Sequence, residues 1–349
     1  MLSPDKRTVQ HCLAGVLLAL MTGCSSDRLD SSPPTIEPAQ PADSPPVSQK
    51  PVGVVRPLGG HPQGVIFDSG SHLLAVLCPG TDPAAPASVT VFDDAHTQPR
   101  VIVLPGPATA LTSDDHGTAY LASHGGYFVV DLEGGHTSQV NVTDAGHAKF
   151  TAIARRADAK LVLGSADGTV YTLAATAPGT NTATASNRNK IFARIDSLAT
   201  QRNNTVVLDS GQTSITTIGA DGHVQQALRA GEGATTLAAD PLGRILVADT
   251  RSGQLLVYTI DPLILRQTYP VRHAPYGLAG SRTLAWVSQT ASNIVIGYDL
   301  TTGIPVEKVS YPTVQQPNSL AFDEASDTLY VVSESGAGVQ IIEHAVGTR

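Results

Sequence analysis

From Val52 onward, apolar residues come in short runs separated by Gly, Asp, Asn and Pro, with no helical periodicity. The recurring unit is an apolar segment, a turn, a second run ending in a small or polar residue, a loop, and a third run rich in Val, Ile and Tyr. Seven segments align on it: GVIFDSGSHLLAVLC, ALTSDDHGTAYLAS, AIARRADAKLVLGS, SLATQRNNTVVLDS, TLAADPLGRILVAD, GLAGSRTLAWVSQ and SLAFDEASDTLYVVSE. Their first runs are anchored at Val65, Leu111, Ile153, Leu198, Leu237, Leu278 and Leu320, with spacings of 46, 42, 45, 39, 41 and 42 residues. Solenoids of this period are usually helical, whereas a blade of four short strands needs about this length. The pattern predicts an all-β chain, a seven-bladed β-propeller of four-stranded antiparallel blades.

The two ends complete the count. The last repeat stops after GVQIIEH, its third strand, while PVGVVRPL at residues 51–58 precedes the first anchor as an unassigned strand. An N-terminal strand closing the last blade pairs both ends and removes an open edge. Inside the repeats, Asp240 with Pro241 and Gly243 reads as a turn between first and second strands, as do Asp115-His116-Gly117 and Asn203-Asn204. Asp249 ends the second strand of the same blade, so the two carboxylates lie at opposite ends and form no catalytic pair.

The first 51 residues have a different character. MLSPDKRTVQH carries Lys6 and Arg7, CLAGVLLALM is an apolar run too short to span a bilayer, and TGC ends in Cys24. Residues 1–23 read as a signal peptide. LMTGC resembles a bacterial lipobox, which implies that Cys24 carries diacylglycerol and becomes the mature N-terminus. Two or more acyl chains make such an anchor stable, which places the protein on the extracytoplasmic face of a cell membrane. Residues 24–51 hold seven prolines and almost no large apolar residues, and read as a disordered tether with a reach of roughly 80 Å as polyproline II. Residues 52–349 form the propeller. With Cys12 removed and Cys24 lipidated, Cys78 alone remains and no intramolecular disulfide is possible.

The blades resemble the YVTN and NHL families of β-propellers through HPQGVIF, APYGLAG and QPNSLAF at blade starts and GRILVADTRSGQLLVY in blade five, over residues 52 to 343. The lipobox, proline-rich tether and Ala-rich, Lys-poor composition together resemble an actinobacterial lipoprotein. The resemblance implies the fold. Those families include lactonases, a lyase, protein-interaction modules and lipoproteins without assigned activity, so it implies no single function.

Charge excludes one class of partner. The formal net charge is -8, and removing residues 1–23, whose Asp5, Lys6 and Arg7 sum to +1, leaves -9. Without a polybasic run, nucleic acid is not an expected partner.

Candidate chemistry falls on the loops leading into the first strands. Two residues before each anchor stand Gln63, Thr109, Thr151, Asp196, Thr235, Tyr276 and Asn318, all polar, which are expected to ring the channel mouth or to bond neighbouring backbone. Four before the anchor, or close by, stand His61, His147, Lys149, Arg194, Arg272 and His273, a basic set that can focus a small anionic ligand. His61, His147 and His273 lack the local spacing of metal ligands, and the single carboxylate Asp196 beside Asn318 and Gln63 is poor in charge for calcium. One tryptophan, Trp286, and no adjacent cysteines speak against a quinoprotein dehydrogenase, and neither a G-x-S-x-G elbow nor H-E-x-x-H occurs. Cys78 reads as a buried strand residue. The expectation is therefore a lipid-anchored, extracytoplasmic, monomeric propeller that binds a small anionic ligand or a cell-envelope protein, with no metal and no cofactor. The alternative is a lactonase-like or other hydrolytic enzyme working at the mouth.

Overall fold

The computed structural model describes residues 34–82, 84–93, 98–175 and 179–347; the signal segment and Cys24 lie outside them. Seven antiparallel sheets follow one another along the chain. Blade one is Gly64–Asp68, Leu73–Cys78, Ser88–Phe92 and Arg100–Val103. Blade two is Ala110–Ser113, Thr118–Ser123, Gly126–Asp131 and Thr137–Val142, and blade three is Phe150–Arg155, Leu161–Ser165, Thr169–Leu173 and Ala185–Lys190. Blade four is Ser197–Gln201, Asn204–Asp209, Ser214–Ile218 and Val224–Arg229, and blade five is Ala234–Ala239, Arg244–Asp249, Gln254–Ile260 and Leu263–Pro270. Blade six is Pro275–Gly280, Ala285–Gln289, Ile294–Asp299 and Val306–Pro312. Blade seven takes Pro317–Asp323, Thr328–Ser333 and Val339–Ile342 from the C-terminal end and Val54–Arg56 from the N-terminal one. A short parallel strand, Thr182–Ala183, adds to the edge of blade two.

Burial explains the sequence of each strand. Second strands are covered by neighbouring blades on both faces, so they read as unbroken runs such as LLAVLC and RILVAD, buried after the first residue. Outer strands keep one wet face, and Ala185–Lys190 alternates half-buried with exposed positions. The core of the described residues divides into seven apolar clusters, one at each interface between adjacent blades. Between blades one and two, Leu77, Val89 and Val91 meet Leu121, Phe128 and Val130. Between blades seven and one, Leu74, Val76 and Phe92 meet Tyr330, Val332 and Val339, with Cys78 buried among them.

Three aspartates show how the blade ends are tied. Asp249 accepts from the amides of Gly233 at 2.9 Å and Ser252 at 3.2 Å, joining the loops before the first strand and after the second. Asp209 does the same one blade earlier, with Ala193 at 2.6 Å and Gln212 at 3.1 Å. Asp240 accepts from the Leu242 and Arg244 amides at 2.9 Å each, and its second oxygen pairs with the Arg244 guanidinium. Gly243 follows with a φ of +88°, the left-handed position such a turn reserves for glycine.

The ring closes as the pattern predicts: Val54, Val55 and Arg56 pair antiparallel with Ile341, Gln340 and Val339. Gln340 is fully buried and seals the joint. Its amide donates to the Val52 carbonyl at 2.8 Å and the Pro312 carbonyl at 3.0 Å, and accepts from the Val314 amide at 3.0 Å.

Part of the proline-rich stretch has a defined place in the structure. Residues 34–51 contain no helix or strand, yet the stretch from Ile36 to Pro45 is hydrogen-bonded onto the propeller, and residues 35–349 group as one compact unit. Composition rules out a core of its own, but an extended proline-rich backbone leaves its N–H and C=O groups open to an external partner.

Replacing Gln340 with Leu leaves the buried Val314 amide without its acceptor, an unsatisfied group that costs about 1–3 kcal/mol, and takes a donor from the half-buried Pro312 and exposed Val52 carbonyls. Gln340→Leu should lower the unfolding free energy by about 1–3 kcal/mol, read from urea titrations through the fluorescence of the fully buried Trp286. An unchanged midpoint would show that closure does not depend on this amide.

Candidate functional site at the channel mouth

The inner strands enclose a cavity of about 490 Å³, and every blade contributes three consecutive residues to its wall. The outermost tier is Gln63, Thr109, Thr151, Asp196, Thr235, Tyr276 and Asn318, the polar column read from the sequence. The innermost tier is the seven apolar anchors, Val65, Leu111, Ile153, Leu198, Leu237, Leu278 and Leu320. Between them lie only small residues: Gly64, Ala110, Ala152, Ser197, Thr236, Gly277 and Ser319. Small side chains are required where seven strands converge. A Cβ on Gly277 would stand 2.8 Å from the Ser288 hydroxyl and 2.9 Å from the Asn318 carbonyl oxygen. In blades three, five, six and seven the strand register shifts at the outer tier, and such bulges let one strand turn adjacent residues toward the same space.

Part of the polar ring is architecture. The Thr109 hydroxyl donates to the Phe150 carbonyl of the next blade at 2.7 Å, and Thr151 to Ile195 at 2.6 Å. Thr235 shares a hydrogen bond of 2.6 Å with Thr250, which donates to Pro275 of blade six. These threonines stitch neighbouring inner strands together. The side chains left to define chemistry are Gln63, Asp196, Tyr276 and Asn318.

Asp196 sits in a three-part clasp. Arg194 donates through Nε at 2.7 Å and approaches through Nη2 at 2.6 Å, while the Ser210 hydroxyl and amide close the other oxygen. On the far side of the ring Glu334 accepts a hydrogen bond from the Asn318 side-chain amide. Burial pushes the Glu334 carboxyl above its ordinary range, against the opposing influence of His61 and Asn318. Burial, reinforced by the negative charges of Glu334 and Asp196, pushes the Tyr276 phenol up to about 12, so it stays a protonated donor at neutral pH.

The structure divides the candidate residues between the cavity wall and the loops outside it. Of the proposed site residues, Gln63, Arg194, Asp196, Tyr276 and Asn318 line the cavity, whereas His61, His147, Lys149, Arg272 and His273 do not. His147, Lys149, Arg272 and His273 are exposed on loops around it, and His61 places Nδ1 3.3 Å from the Glu334 carbonyl. The charged groups of the wall are one guanidinium, Arg194, and two carboxylates, Asp196 and Glu334. Among the described residues, no three His, Cys, Asp or Glu side chains gather as metal ligands. Glu334 is absent from the column read from the sequence because it enters from the residue after the second strand. The same repeat alignment read one step beyond that strand gives Pro79, His124, Ala166, Ser210, Thr250, Thr290 and Glu334, and so reaches both Ser210 and Glu334.

Three residues outside the repeats, Pro38, Ala39 and Gln40, also line the cavity. The N-terminal stretch thus passes over the mouth.

The architecture defines a seven-bladed β-propeller, and solved structures agree. A chain of the mitotic checkpoint complex superposes with a TM-score of 0.70 at 12% identity, covering 88% of this chain and 99% of its own. Streptogramin B lyase gives 0.65 at 11%, covering 84% and 97%, and the β-propeller domain of Myceliophteria thermophila Cps50 (Swd1) gives 0.66 at 11%, covering 83% and 99%. At such identities the likeness is one of fold. No protein-family model matches the chain, and no curated protein matches it in sequence.

Because its pKa is raised, Glu334 favours the folded state most when protonated; that contribution is complete below the ordinary value of 4.5 and is lost as pH rises through the raised one. Gln at this position keeps a carbonyl acceptor for Asn318 and cannot ionise. The urea midpoint of Glu334→Gln relative to wild type should therefore be higher at pH 8 than at pH 4; a difference independent of pH would place Glu334 in ordinary solvent.

Proposed function

We propose that the chain is a lipid-anchored, extracytoplasmic propeller that serves as a binding and scaffolding module, receiving a polar ligand or a cell-envelope protein at its channel mouth. The observation that carries this reading is the tiered cavity, a preformed space with a polar rim and an apolar floor. Its two carboxylates are already held, Asp196 by Arg194 and Ser210, and Glu334 by Asn318. Such a wall is preorganised to recognise a neutral, hydrogen-bonding group without first reorganising its charges. The neighbour from the mitotic checkpoint complex belongs to a protein assembly, which supports a scaffolding role. The membrane address rests on Lys6, Arg7, the apolar run and Cys24.

A second reading, a lytic or hydrolytic enzyme, is favoured by one feature: a carboxyl with a raised pKa inside a cleft, Glu334, is suited to give a proton. Streptogramin B lyase shows that this fold accommodates an enzyme. On this reading Glu334→Gln retains ligand and loses turnover.

Two experiments test the proposal. Cys24→Ala should move the protein from the membrane to the soluble fraction, and retention after detergent-free washing would overturn the anchor. In a thermal-shift screen of neutral polyols, sugars and short peptides, a ligand at a hundred times its Kd adds about 2.7 kcal/mol and raises the Tm by several degrees. Ser197→Phe, which fills the middle tier, should abolish that shift; an equal shift in both proteins would place the ligand elsewhere.

A further inference from the structure

We infer that the loops of blades six and seven form a peptide-reading site for an extended Ala-x-Ser-Pro segment. In the resting protein that site is filled in cis by the chain's own residues Ala42–Pro45. The contacts are those of a recognition groove. The side-chain amide of Gln316 donates to the Ala42 carbonyl at 3.0 Å and accepts from the Ser44 amide at 2.8 Å, a clamp on either side of Asp43 that an extended backbone satisfies. The Ser44 hydroxyl donates to the Thr290 carbonyl at 2.5 Å and accepts from the Gln316 amide at 3.0 Å, so both of its capacities are used. Thr290 accepts from the Ala42 amide at 3.2 Å. Gln315 donates to the Ser44 carbonyl at 3.1 Å, and Asn293 to the Pro45 carbonyl at 2.7 Å. Asp43 is exposed, which leaves its position open to any residue.

The reading side chains depart from the repeat. Where blade seven has Gln316, the other blades carry His61, Pro107, Lys149, Arg194, Gly233 and Ala274, none of which offers an amide donor and acceptor together. Prolines at 38, 41, 45 and 46 hold the segment extended before it docks, which lowers the entropy lost on binding. Upstream, the Ile36 amide donates to Gly211 at 2.8 Å and Arg251 donates to the Glu37 carbonyl at 2.6 Å, so the strap crosses blades four to seven. Because Pro38, Ala39 and Gln40 line the cavity, release of the strap also uncovers the channel. The competitor this site fits is an extended Ser-Pro segment of a partner polypeptide. The inference stands on the groove and its occupant, independently of the lipid anchor and of any ligand in the channel.

The test uses the full chain and a fluorescein-labelled peptide of residues 40–47. Ala42→Pro with Ser44→Ala removes the amide and hydroxyl that hold the strap. That variant should bind the peptide in anisotropy titrations at least tenfold more tightly than wild type, and a peptide with Ser44→Ala should bind it at least tenfold more weakly. Adding Gln316→Ala should abolish binding. Equal binding to wild type and variant, or none to a variant whose Trp286 emission shows it folded, would overturn the inference. Hydrogen exchange on the unmodified protein gives a second reading: the Ile36, Ala42 and Ser44 amides should exchange at least tenfold more slowly than in the free peptide, and exchange at the peptide's rate would overturn it.

Discussion

Each blade has two apolar faces and no means of covering either, so every strand of the ring depends on the blade beside it. Seven clusters at seven interfaces replace the single core of a compact domain. Burying one Leu- or Val-sized side chain contributes roughly 1.5–3 kcal/mol, and that contribution exists only if the neighbouring blade is in place. The last interface is therefore as necessary as the first. Val54–Arg56 and the buried amide of Gln340 bring the two ends of the chain into one sheet, and the apolar contacts of blades seven and one follow from that closure.

Closure also determines what the mouth can be. Seven inner strands meeting around an axis force small residues at the middle tier, as the crowding at Gly277 shows, and leave their outermost backbone groups without a ladder partner. Hydroxyls at 109, 151 and 250 answer that need by donating to carbonyls of the following blade. The remaining polar residues of the rim are then available for recognition, and both carboxylates are held within the wall: Asp196 is paired with Arg194, and Glu334 accepts a hydrogen bond from Asn318. The proposed binding role draws on this order, in which the scaffold takes the hydroxyls it needs and leaves amides, a phenol and two clasped carboxylates facing the cavity.

The strap shows how a segment can be unable to fold and still have a defined place. Residues 36–45 hold too little apolar surface for a core, and their hydrogen bonds go to groups that the blades supply, among them Gln316, Thr290 and Asn293. Composition reports what a segment can do with itself; it is silent about what a neighbouring surface offers its backbone. That is why residues 24–51 read as one uniform tether, and why the place of residues 38–40 at the mouth is not legible in the sequence.

The alternation and spacing of apolar runs were legible without any structure, because burial on both faces imprints itself on every second strand and turns require Asp, Asn and Gly at fixed places. Seven blades, the N-terminal closing strand and the seven polar positions of the outer tier all follow from that local periodicity. Glu334 was present in the same repeat, one residue beyond the strand. Its place at the cavity depends on how the loop after the second strand folds back, which periodicity does not encode. The division of the basic residues was decided by tertiary structure alone. Arg194 is drawn inward by Asp196, whereas His147, Lys149, Arg272 and His273, at similar positions in the repeat, have no such partner within the wall and stay outside. Sequence determines which residues recur at the rim of such a ring; which of them face the cavity, and which segment passes over it, depends on charges and hydrogen bonds between parts of the chain far apart in sequence.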